Sequence, residues 1–263
     1  MYGLIGQSLG HSHSPTYFLD RFEQAGIHDA AYRLFEFEDV AEWRSLVASE
    51  GRLAGANVTT PYKRSIVPFL DALTEEAAAV GAVNVILRKG DKWVGDNTDA
   101  EGFSRSIRPF FKGRHERALV LGSGGAAAAV RIALERLGVK VVHVVRKAVE
   151  ESETGGEVQV RYDELGKAAV AAHKLIVQCT PVGTAGRTGS AAQAGSAELP
   201  PLKLEGIGKD HLVIDLVYNP VETPFLREAK ARGAETLGGS DMLRFQAEAT
   251  WKRWGLGDVT LQA

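Results

Sequence analysis

Short apolar runs in the second half of the chain constrain the fold more than any other feature of this sequence. They begin at Ala118 with ALVLG and continue with KVVHVV, HKLIVQC and HLVIDLV. Continuous Val, Ile and Leu, rather than an alternation of apolar and polar residues, indicate strands that are buried on both faces. Parallel sheets covered by helices bury their strands in this way. The pattern therefore predicts a doubly wound α/β domain over residues 101–236.

A glycine-rich turn follows the first of these runs. Gly122, Gly124 and Ala127 occupy the positions of a G-x-G-x-x-A pattern between a strand and a helix. Glycine permits a positive φ and lets a phosphate approach the backbone, and the N–H groups at the helix start would bind a pyrophosphate. The turn predicts a dinucleotide site, and the alternative is a tight turn that binds no ligand.

The end of the second run bears on which dinucleotide is bound. A carboxylate at this position would bind the 2′-hydroxyl of NAD and repel the 2′-phosphate of NADP. The run KVVHVV is followed instead by Arg146 and Lys147, and a guanidinium offers paired donors to a phosphate. NADP is therefore favoured, although the two residues could also be solvated charges at a strand end.

The first hundred residues show a different α/β pattern. Strands are predicted at Tyr2–Gly6, Tyr32–Phe37, Gly55–Val58 and Val83–Leu87. Helices are predicted at Thr16–Ala25, Val40–Ser49 and Pro61–Leu70, followed by a helix at Asn97–Phe111 that could bridge two units. The last predicted helix, Gly239–Trp254, has no place in the second sheet and is expected to pack on the first unit.

Composition argues against several kinds of partner and site. With 31 basic and 33 acidic side chains the net charge is −2, so we expect neither nucleic acid nor a membrane surface as a partner. No window approaches about 18 consecutive apolar residues. The single cysteine, Cys179, rules out an internal disulfide and fits the cytoplasm. We expect no metal, because His11, His13 and His28 lack a clustered carboxylate or thiolate.

Two polar clusters of the first unit suggest a ligand site. In HSHSP, Ser14 is the predicted N-cap of a helix that opens at Pro15, and Ser12 and Ser14 would suit a small anion or a polyol. In GANVTTPYK, Thr60 is a predicted cap, which places Lys63 in a first helical turn. A cation there opposes the helix dipole, so Lys63 either has a functional role or is well solvated.

A third cluster, Asn97-Thr98-Asp99, completes a candidate catalytic pair. Its simpler interpretation is the N-cap of the following helix. An aspartate close to Lys63 would, however, hold and orient the amine for proton transfer.

At this point the sequence resembles the shikimate dehydrogenase family, and the resemblance covers nearly the whole chain. Eight motifs fall in the order found in the family: HSHSP, GANVTTPYK, GAVN, NTDAEGF, GSGGAAAA, CTPVG, DLVYNPVET and MLRFQA. The resemblance implies an α/β protein with an N-terminal substrate-binding domain and a Rossmann-like NADP-binding domain. The substrate domain would be discontinuous, with residues 1–100 and 237–263, and the NADP domain would hold residues 101–236.

The resemblance also implies the reaction and the residues that perform it. The reaction is the reversible reduction of 3-dehydroshikimate to shikimate by NADPH, in the biosynthesis of chorismate and the aromatic amino acids. Lys63 and Asp99 are the implied catalytic pair. The implied substrate contacts are Ser12 and Ser14 to the carboxylate and Thr59, Asn84, Asp99 and Gln246 to ring hydroxyls, with Tyr218 as a further candidate. The expected cofactor contacts are Gly122, Ser123, Gly124, Gly125, Ala126, Arg146, Lys147, Thr180 and Gly239.

The sequence departs from the family pattern at three places, and the first two bear on the cofactor. Val145-Arg146-Lys147 replaces the usual Asn-Arg-Thr, Thr184 replaces a methionine, and Asp241 stands where a glycine is more usual. A quinate/shikimate dehydrogenase that uses NAD is the nearest rival. A non-catalytic dinucleotide sensor is the rival from another class. The protein is expected to be a monomer or a homodimer.

Overall fold

The computed structural model describes residues 1–10, 12–147, 157–185 and 199–257. The chain divides into two compact units. The first contains residues 1–99 and the chain from Gln246 onward, and the second contains Ala100–Phe245. The second boundary therefore lies inside the last helix, between Phe245 and Gln246, rather than near residue 237.

Twelve strands and eight helices form the two units within these described ranges. The strands are β1 Tyr2–Gly6, β2 Tyr32–Glu36, β3 Gly55–Val58, β4 Ala72–Leu73, β5 Val85–Lys89, β6 Lys92–Asp96, β7 Arg117–Leu121, β8 Lys140–Val145, β9 Gln159–Arg161, β10 Leu175–Gln178, β11 Leu212–Asp215 and β12 Glu235–Gly238. The helices are α1 Ser14–Gln24, α2 Glu42–Ser49, α3 Glu75–Val80, α4 Asp99–Ile107, α5 Gly125–Arg136, α6 Lys167–Ala172, α7 Pro224–Ala231 and α8 Ser240–Arg253. Short 3-10 helices lie at Val67–Phe69 and Leu204–Gly206.

The first unit is built on a mixed sheet with the strand order β2-β1-β3-β5-β6-β4. Strand β1 pairs in parallel with β2 and β3, and β5 is antiparallel to both β3 and β6. Apolar side chains cover both faces of this sheet: Ile5 packs in a core with Trp43, and its neighbour Leu4 packs with Phe18 and Trp251. Trp251 belongs to α8, so the end of the last helix packs on this sheet.

The second unit is built on a wholly parallel sheet with the order β12-β11-β10-β7-β8-β9. Counted along the chain from β7, this order is that of a doubly wound dinucleotide-binding fold. Strands β10 and β11 are buried throughout, as their apolar runs predict. The predicted α/β class with a Rossmann-like second domain is confirmed.

The predicted helix at Pro61–Leu70 is wrong. Residues 60–66 form turns, and only the 3-10 helix Val67–Phe69 follows. Pro68 explains the difference, because it has no N–H for an α-helical hydrogen bond and disfavours the α conformation at the residue before it. The N–H groups of Val67, Phe69 and Leu70 instead donate to carbonyls three residues back. No helix begins at Pro61, so the helix-dipole argument about Lys63 does not hold.

The structure also differs from the sequence-based prediction at the ends of some helices and strands, and in several short elements. Ser14 is the first residue of α1 rather than its N-cap, which is His13. Strand β12 runs across the predicted domain boundary near residue 237. Several elements were not predicted because they are short or carry polar residues: β4, β6, β9, β12, α3, α6 and α7.

Candidate active site

The topology of the first sheet brings the predicted substrate residues to one edge. Parallel β1 and β3 end at this edge, antiparallel β5 begins there, and β6 ends there because Asp96 pairs with Val85. The segments that leave these strands carry Ser12, Lys63 and Asp99, and Asn84 directly precedes β5. Residues far apart in the sequence therefore meet where four strands begin or end.

Backbone hydrogen bonds hold the segment that carries Lys63. The Thr59 N–H donates to the Ile5 carbonyl, which extends the pairing of β3 with β1 by one residue. The Val83 N–H donates to the carbonyl of Lys63 at 2.7 Å, and the Val58 N–H donates to the carbonyl of Asn84 at 2.9 Å. Lys63 is thus fixed beside the start of β5 without being part of a helix.

Lys63 and Asp99 form a mostly buried ion pair. The Lys63 Nζ lies 2.5 Å from the Asp99 Oδ2, and the two side chains are 16% and 5% exposed. The Asp99 backbone N–H donates to the Asn97 Oδ1 at 3.0 Å, which fixes the turn into α4. Ion pairs with this little exposure need further hydrogen bonds to offset the loss of hydration. The remaining donors of the Lys63 ammonium give this pair a group that can deliver a proton.

Asn84 is the centre of the hydrogen bonds around this pair. Its Nδ2 donates to the Asp99 Oδ1 at 2.8 Å and to the Thr98 Oγ1 at 3.0 Å. The Gln246 Oε1 lies 3.4 Å from the same nitrogen. The Thr98 backbone N–H donates to the Asn84 Oδ1 at 2.8 Å. The structure therefore brings four of the predicted residues, Lys63, Asn84, Asp99 and Gln246, into one network.

A second layer of this network was not predicted. The Asn57 Nδ2 donates to the Asn84 carbonyl at 3.3 Å and to the Thr250 Oγ1 at 3.4 Å. Thr250 and Thr98 are joined through their hydroxyls at 3.2 Å. Thr250 lies four residues after Gln246, on the same face of α8, which was the only sequence signal for it. Asn57 lies in the motif GANVTTPYK, but its place inside the buried strand β3 gave it no predicted role.

The serines of HSHSP are linked to the same layer. The Ser12 Oγ accepts a hydrogen bond from the N–H of Ser14, the first residue of α1, at 3.2 Å. The Ser14 side chain is hydrogen-bonded to Tyr32, whose hydroxyl donates to the Asn57 Oδ1 at 2.9 Å. Burial raises the pKa of the Tyr32 hydroxyl, which keeps it a donor. Thr59, also predicted, lies half-buried directly after β3.

The glycine turn of the second unit has the features of an anion site. Gly122 has φ +109°, and a Cβ there would lie 3.0 Å from the Thr180 Cγ2. Helix α5 begins at Gly125, and no acceptor in the described part of the chain bonds the backbone N–H groups of Ser123, Gly124 and Gly125. N–H donors at a helix start can bind a pyrophosphate, so the glycine turn fits the predicted dinucleotide. Ala126, the other predicted turn residue, lies in the first turn of α5.

The other predicted cofactor residues lie after the strands of the second sheet. Arg146 and Lys147 are exposed directly after β8. Thr180 follows β10, and its N–H and hydroxyl both donate to the Oε1 of the buried Gln178, at 3.0 and 2.9 Å. Gly239 follows β12, and a side chain there would overlap the carbonyl oxygen of Leu216.

Tyr218 also lies in the second unit, after β11, although it was predicted to contact the substrate. It is half-buried, and burial raises the pKa of its hydroxyl. Lys63 and the network around it belong to the first unit, and the contact of Tyr218 with the substrate remains a prediction.

The described residues form neither a metal site nor a membrane-spanning helix. In the described ranges, no three His, Cys, Asp or Glu side chains are grouped so that they could hold a metal ion. His11, one of the histidines considered for a metal, lies outside the described residues. None of the helices in these ranges has the length and apolar character needed to cross a membrane.

Comparisons with known proteins agree across the whole length of the chain. A family model described as the shikimate dehydrogenase substrate binding domain matches residues 4–86. The shikimate dehydrogenase (NADP(+)) of Geobacillus kaustophilus is 34% identical over 263 residues, which cover 97% of this chain and 92% of that protein.

Two solved structures are similar in fold as well as in sequence. The shikimate dehydrogenase of Aquifex aeolicus has a TM-score of 0.84 and 31% identity, with 98% of this chain and 93% of that chain covered. The shikimate 5-dehydrogenase of Thermus thermophilus, solved in complex with NADP(H) and shikimate, has a TM-score of 0.80 and 30% identity, with 96% and 92% covered. With identities of 30% or more along nearly the full length, the chain belongs to the shikimate dehydrogenase family.

Proposed function

We propose that the protein is a shikimate dehydrogenase that reduces 3-dehydroshikimate reversibly to shikimate with NADPH. The observation that carries this proposal is the mostly buried Lys63–Asp99 pair, 2.5 Å apart, whose carboxylate accepts a further hydrogen bond from the Asn84 amide. A ketone reduction needs a proton donor of this kind, and relatives along the full length carry the same function in their names. The reaction serves the shikimate pathway to chorismate and the aromatic amino acids.

The first unit supplies the proton chemistry. When bound, NADPH supplies a hydride to the carbonyl carbon of the substrate. The substrate oxygen then needs a proton, and the Lys63 ammonium delivers it. In the oxidation of shikimate the Lys63 amine takes the proton back. Asp99 holds the Lys63 Nζ in place through its Oδ2, and we assign it to orienting both this amine and a substrate hydroxyl.

The same network supplies the recognition of the substrate. We assign the carboxylate of shikimate to the hydroxyls of Ser12 and Ser14. We assign its ring hydroxyls to Thr59, Asn84, Asp99 and Gln246. Because buried amides left without partners are costly, a site of this kind rejects ligands that lack a hydroxyl.

The second unit supplies the binding of NADP. We assign the pyrophosphate to the N–H groups of Ser123, Gly124 and Gly125 at the start of α5, and the 2′-phosphate to Arg146 and Lys147. No carboxylate follows directly after β8 to bind a 2′-hydroxyl. Ala126, Thr180, Gly239 and Tyr218 remain predicted contacts.

The first unit is the substrate-binding domain and the second is the NADP-binding domain. The protein acts in the cytoplasm, as its single cysteine suggests. It acts as a monomer or a homodimer.

Steady-state kinetics test the proposal directly. The purified protein is mixed with shikimate or quinate and with NADP+ or NAD+, and the absorbance of the reduced cofactor is followed. We expect turnover with shikimate and NADP+, with kcat/KM at least about tenfold higher than with NAD+, because charge-assisted hydrogen bonds to the 2′-phosphate are lost with NAD+.

Each rival predicts a different outcome of this assay. Faster turnover of quinate with NAD+ would identify the quinate/shikimate dehydrogenase. Tight binding of NADP+ without turnover of either substrate would identify a dinucleotide sensor. Loss of activity in a chelator would contradict the expectation that no metal takes part.

A further inference from the structure

His143 contacts the glycine turn from inside the second unit. It lies on β8 opposite Val120 of β7 and is 1% exposed. Its Nδ1 is 2.8 Å from the carbonyl oxygen of Gly122. A carbonyl oxygen can only accept, so the Nδ1 carries the proton and donates. The buried His143 therefore donates a hydrogen bond to Gly122, the first residue of the dinucleotide turn.

Strand β8 holds both backbone groups of Gly122. The Gly122 N–H donates to the carbonyl of Val144 at 2.9 Å, and its carbonyl accepts from His143. Gly122 has φ +109°, a conformation open to glycine but unfavourable for other residues. Gly122, in a conformation that suits glycine, is thereby held by two hydrogen bonds to the neighbouring strand.

The position of the Gly122 carbonyl decides where the next N–H group points. In a planar trans peptide the C=O and the following N–H point in opposite directions. Because the Gly122 carbonyl faces the buried ring of His143, the Ser123 N–H faces away from it. Ser123 is exposed, and none of the described residues accepts a hydrogen bond from its N–H. His143 thus orients one of the donors that we assign to the pyrophosphate.

Charged side chains flank the other side of the ring. The Nε2 of His143 lies 3.8 Å from the Glu157 Oε2, which is too far for a hydrogen bond. The Glu157 Oε1 lies 3.0 Å from the Nε of Arg131 on α5, as an ion pair. Glu157 thus approaches both the Nε2 side of the ring and Arg131 of α5, the helix that follows the glycine turn.

We propose that His143 is a positioning residue for the dinucleotide, which it serves by holding the Gly122–Ser123 peptide in the orientation that binds a pyrophosphate. This proposal rests on the proposed function, because it needs NADP at the glycine turn. It adds a residue to the cofactor site that does not touch the cofactor.

Binding measurements on His143 variants test this role. His143→Leu removes the donor at similar volume, and we expect the Kd for NADP+ to rise about tenfold, the loss expected for one well-placed hydrogen bond. His143→Asn keeps an N–H at the position of Nδ1 and should bind NADP+ within about twofold of the wild type. His143→Gln carries its amide one carbon further and should behave like His143→Leu, which provides a second test if the leucine variant does not fold.

A second ligand separates positioning from a general structural effect. Adenosine 2′-phosphate has no pyrophosphate, so its Kd should stay unchanged in all three variants. His173→Leu is the matched control: His173 directly follows α6 in the same unit, and its Nδ1 is 2.7 Å from the carbonyl oxygen of Ala169 within that helix. This control should bind NADP+ like the wild type.

The outcomes are distinct. The proposal is overturned if His143→Leu and His143→Gln bind NADP+ within about twofold of the wild type, if they weaken both ligands equally, or if asparagine does not restore binding. A wild-type protein that binds no NADP+ at all would instead contradict the proposed function.

Discussion

Two buried aspartates, one in each unit, show how differently the chain uses the same side chain. Asp99 is 4% exposed and Asp215 is 0% exposed, and each lies at or near the carboxyl end of a strand. Asp99 has a cation beside it, Lys63 at 2.5 Å, and an amide donor, Asn84 at 2.8 Å. Asp215 has only two neutral donors, the Thr223 hydroxyl at 2.6 Å and the Val217 N–H at 3.0 Å, among the residues that the structure describes.

The difference indicates chemistry at one site and structure at the other. An ion pair with spare donors at the edge of a sheet can exchange a proton with a ligand. A carboxyl group with no cation beside it can join two segments of chain but is costly to ionise. Burial accordingly raises the pKa of Asp215 to about 7, although the hydrogen bonds from Thr223 and Val217 act to lower it. Substitutions at the two sites should therefore affect different properties.

The largest effect is expected at Lys63. Lys63→Ala removes the proton donor, and we expect kcat for shikimate oxidation to fall about 100- to 10,000-fold, the range for loss of a general acid or base. The KM for NADP+ should change little, because Lys63 belongs to the first unit and the glycine turn to the second. Steady-state kinetics with titrated NADP+ measure both quantities.

Lys112→Ala is the control for this experiment. The Nζ of Lys112 lies 2.7 Å from the Glu235 Oε2 in a pair that is 46% and 34% exposed. Exposed pairs of this kind contribute little to stability, so turnover should equal that of the wild type. An unchanged kcat in Lys63→Ala would remove the proton-donor role from Lys63.

Much of the fold could be predicted because apolar runs report burial directly. The apolar runs at β7, β8, β10 and β11 predicted the parallel sheet, because a strand covered on both faces is apolar along most of its length. The strands β9 and β12 are short and only partly buried, so their composition carries little signal. The error at Pro61–Leu70 came from reading apolar spacing without the backbone constraint of Pro68.

The candidate site was predicted only as far as motifs and the family resemblance reached. Lys63, Asn84, Asp99 and Gln246 were named from the sequence, and the structure brings them together. Asn57 was missed, because the sequence does not show which buried polar groups meet across strands. His143 was missed for the same reason, since its partner is a backbone carbonyl and a backbone group has no residue signature.

The second-largest effect is expected at Asp215, in the way the free energy of unfolding depends on pH. Between about pH 4 and pH 7 the native carboxyl keeps a proton that the unfolded chain, with an ordinary pKa of 3.8, has released. The native state then binds more protons, so the free energy of unfolding falls as the pH rises through this window. Asp215→Asn has no such proton. The free energy of unfolding of this variant, relative to that of the wild type, should therefore rise by up to about 4 kcal/mol between about pH 4 and pH 8.

Urea unfolding of both proteins at several pH values measures this difference. All other titrating groups are common to the two proteins, so their contributions cancel in the comparison. Asparagine retains an acceptor for the Val217 N–H and an amide donor for the Thr223 hydroxyl, and the fold should persist. If the free energies of unfolding of the two proteins differ by the same amount at every pH, Asp215 does not titrate in this window.

The smallest effect is expected at Thr223, which joins Asp215 to a helix. Its hydroxyl donates to the Asp215 Oδ2 and accepts from the Leu226 N–H at 3.3 Å as the N-cap of α7. Thr223→Val removes both hydrogen bonds at similar volume, and we expect the free energy of unfolding to fall by about 1 to 2 kcal/mol. Because the hydroxyl favours the ionised carboxyl and so lowers the pKa of Asp215, the loss should be greater at pH 8 than at pH 5.

The first unit offers a matched control for this variant. Thr74 caps α3 by accepting from the Ala77 N–H at 3.2 Å and donates to the buried Asp96 at 2.6 Å, so it repeats the arrangement of Thr223. Asp96 differs in having a cation, since the Arg253 Nε lies 2.7 Å from its Oδ2. Thr74→Val measures the cost of losing a threonine cap beside a carboxylate that keeps its ion pair. If Thr223→Val costs no more at pH 8 than at pH 5, the hydroxyl does not support a charge on Asp215, and the contrast between the paired and the unpaired carboxylates fails.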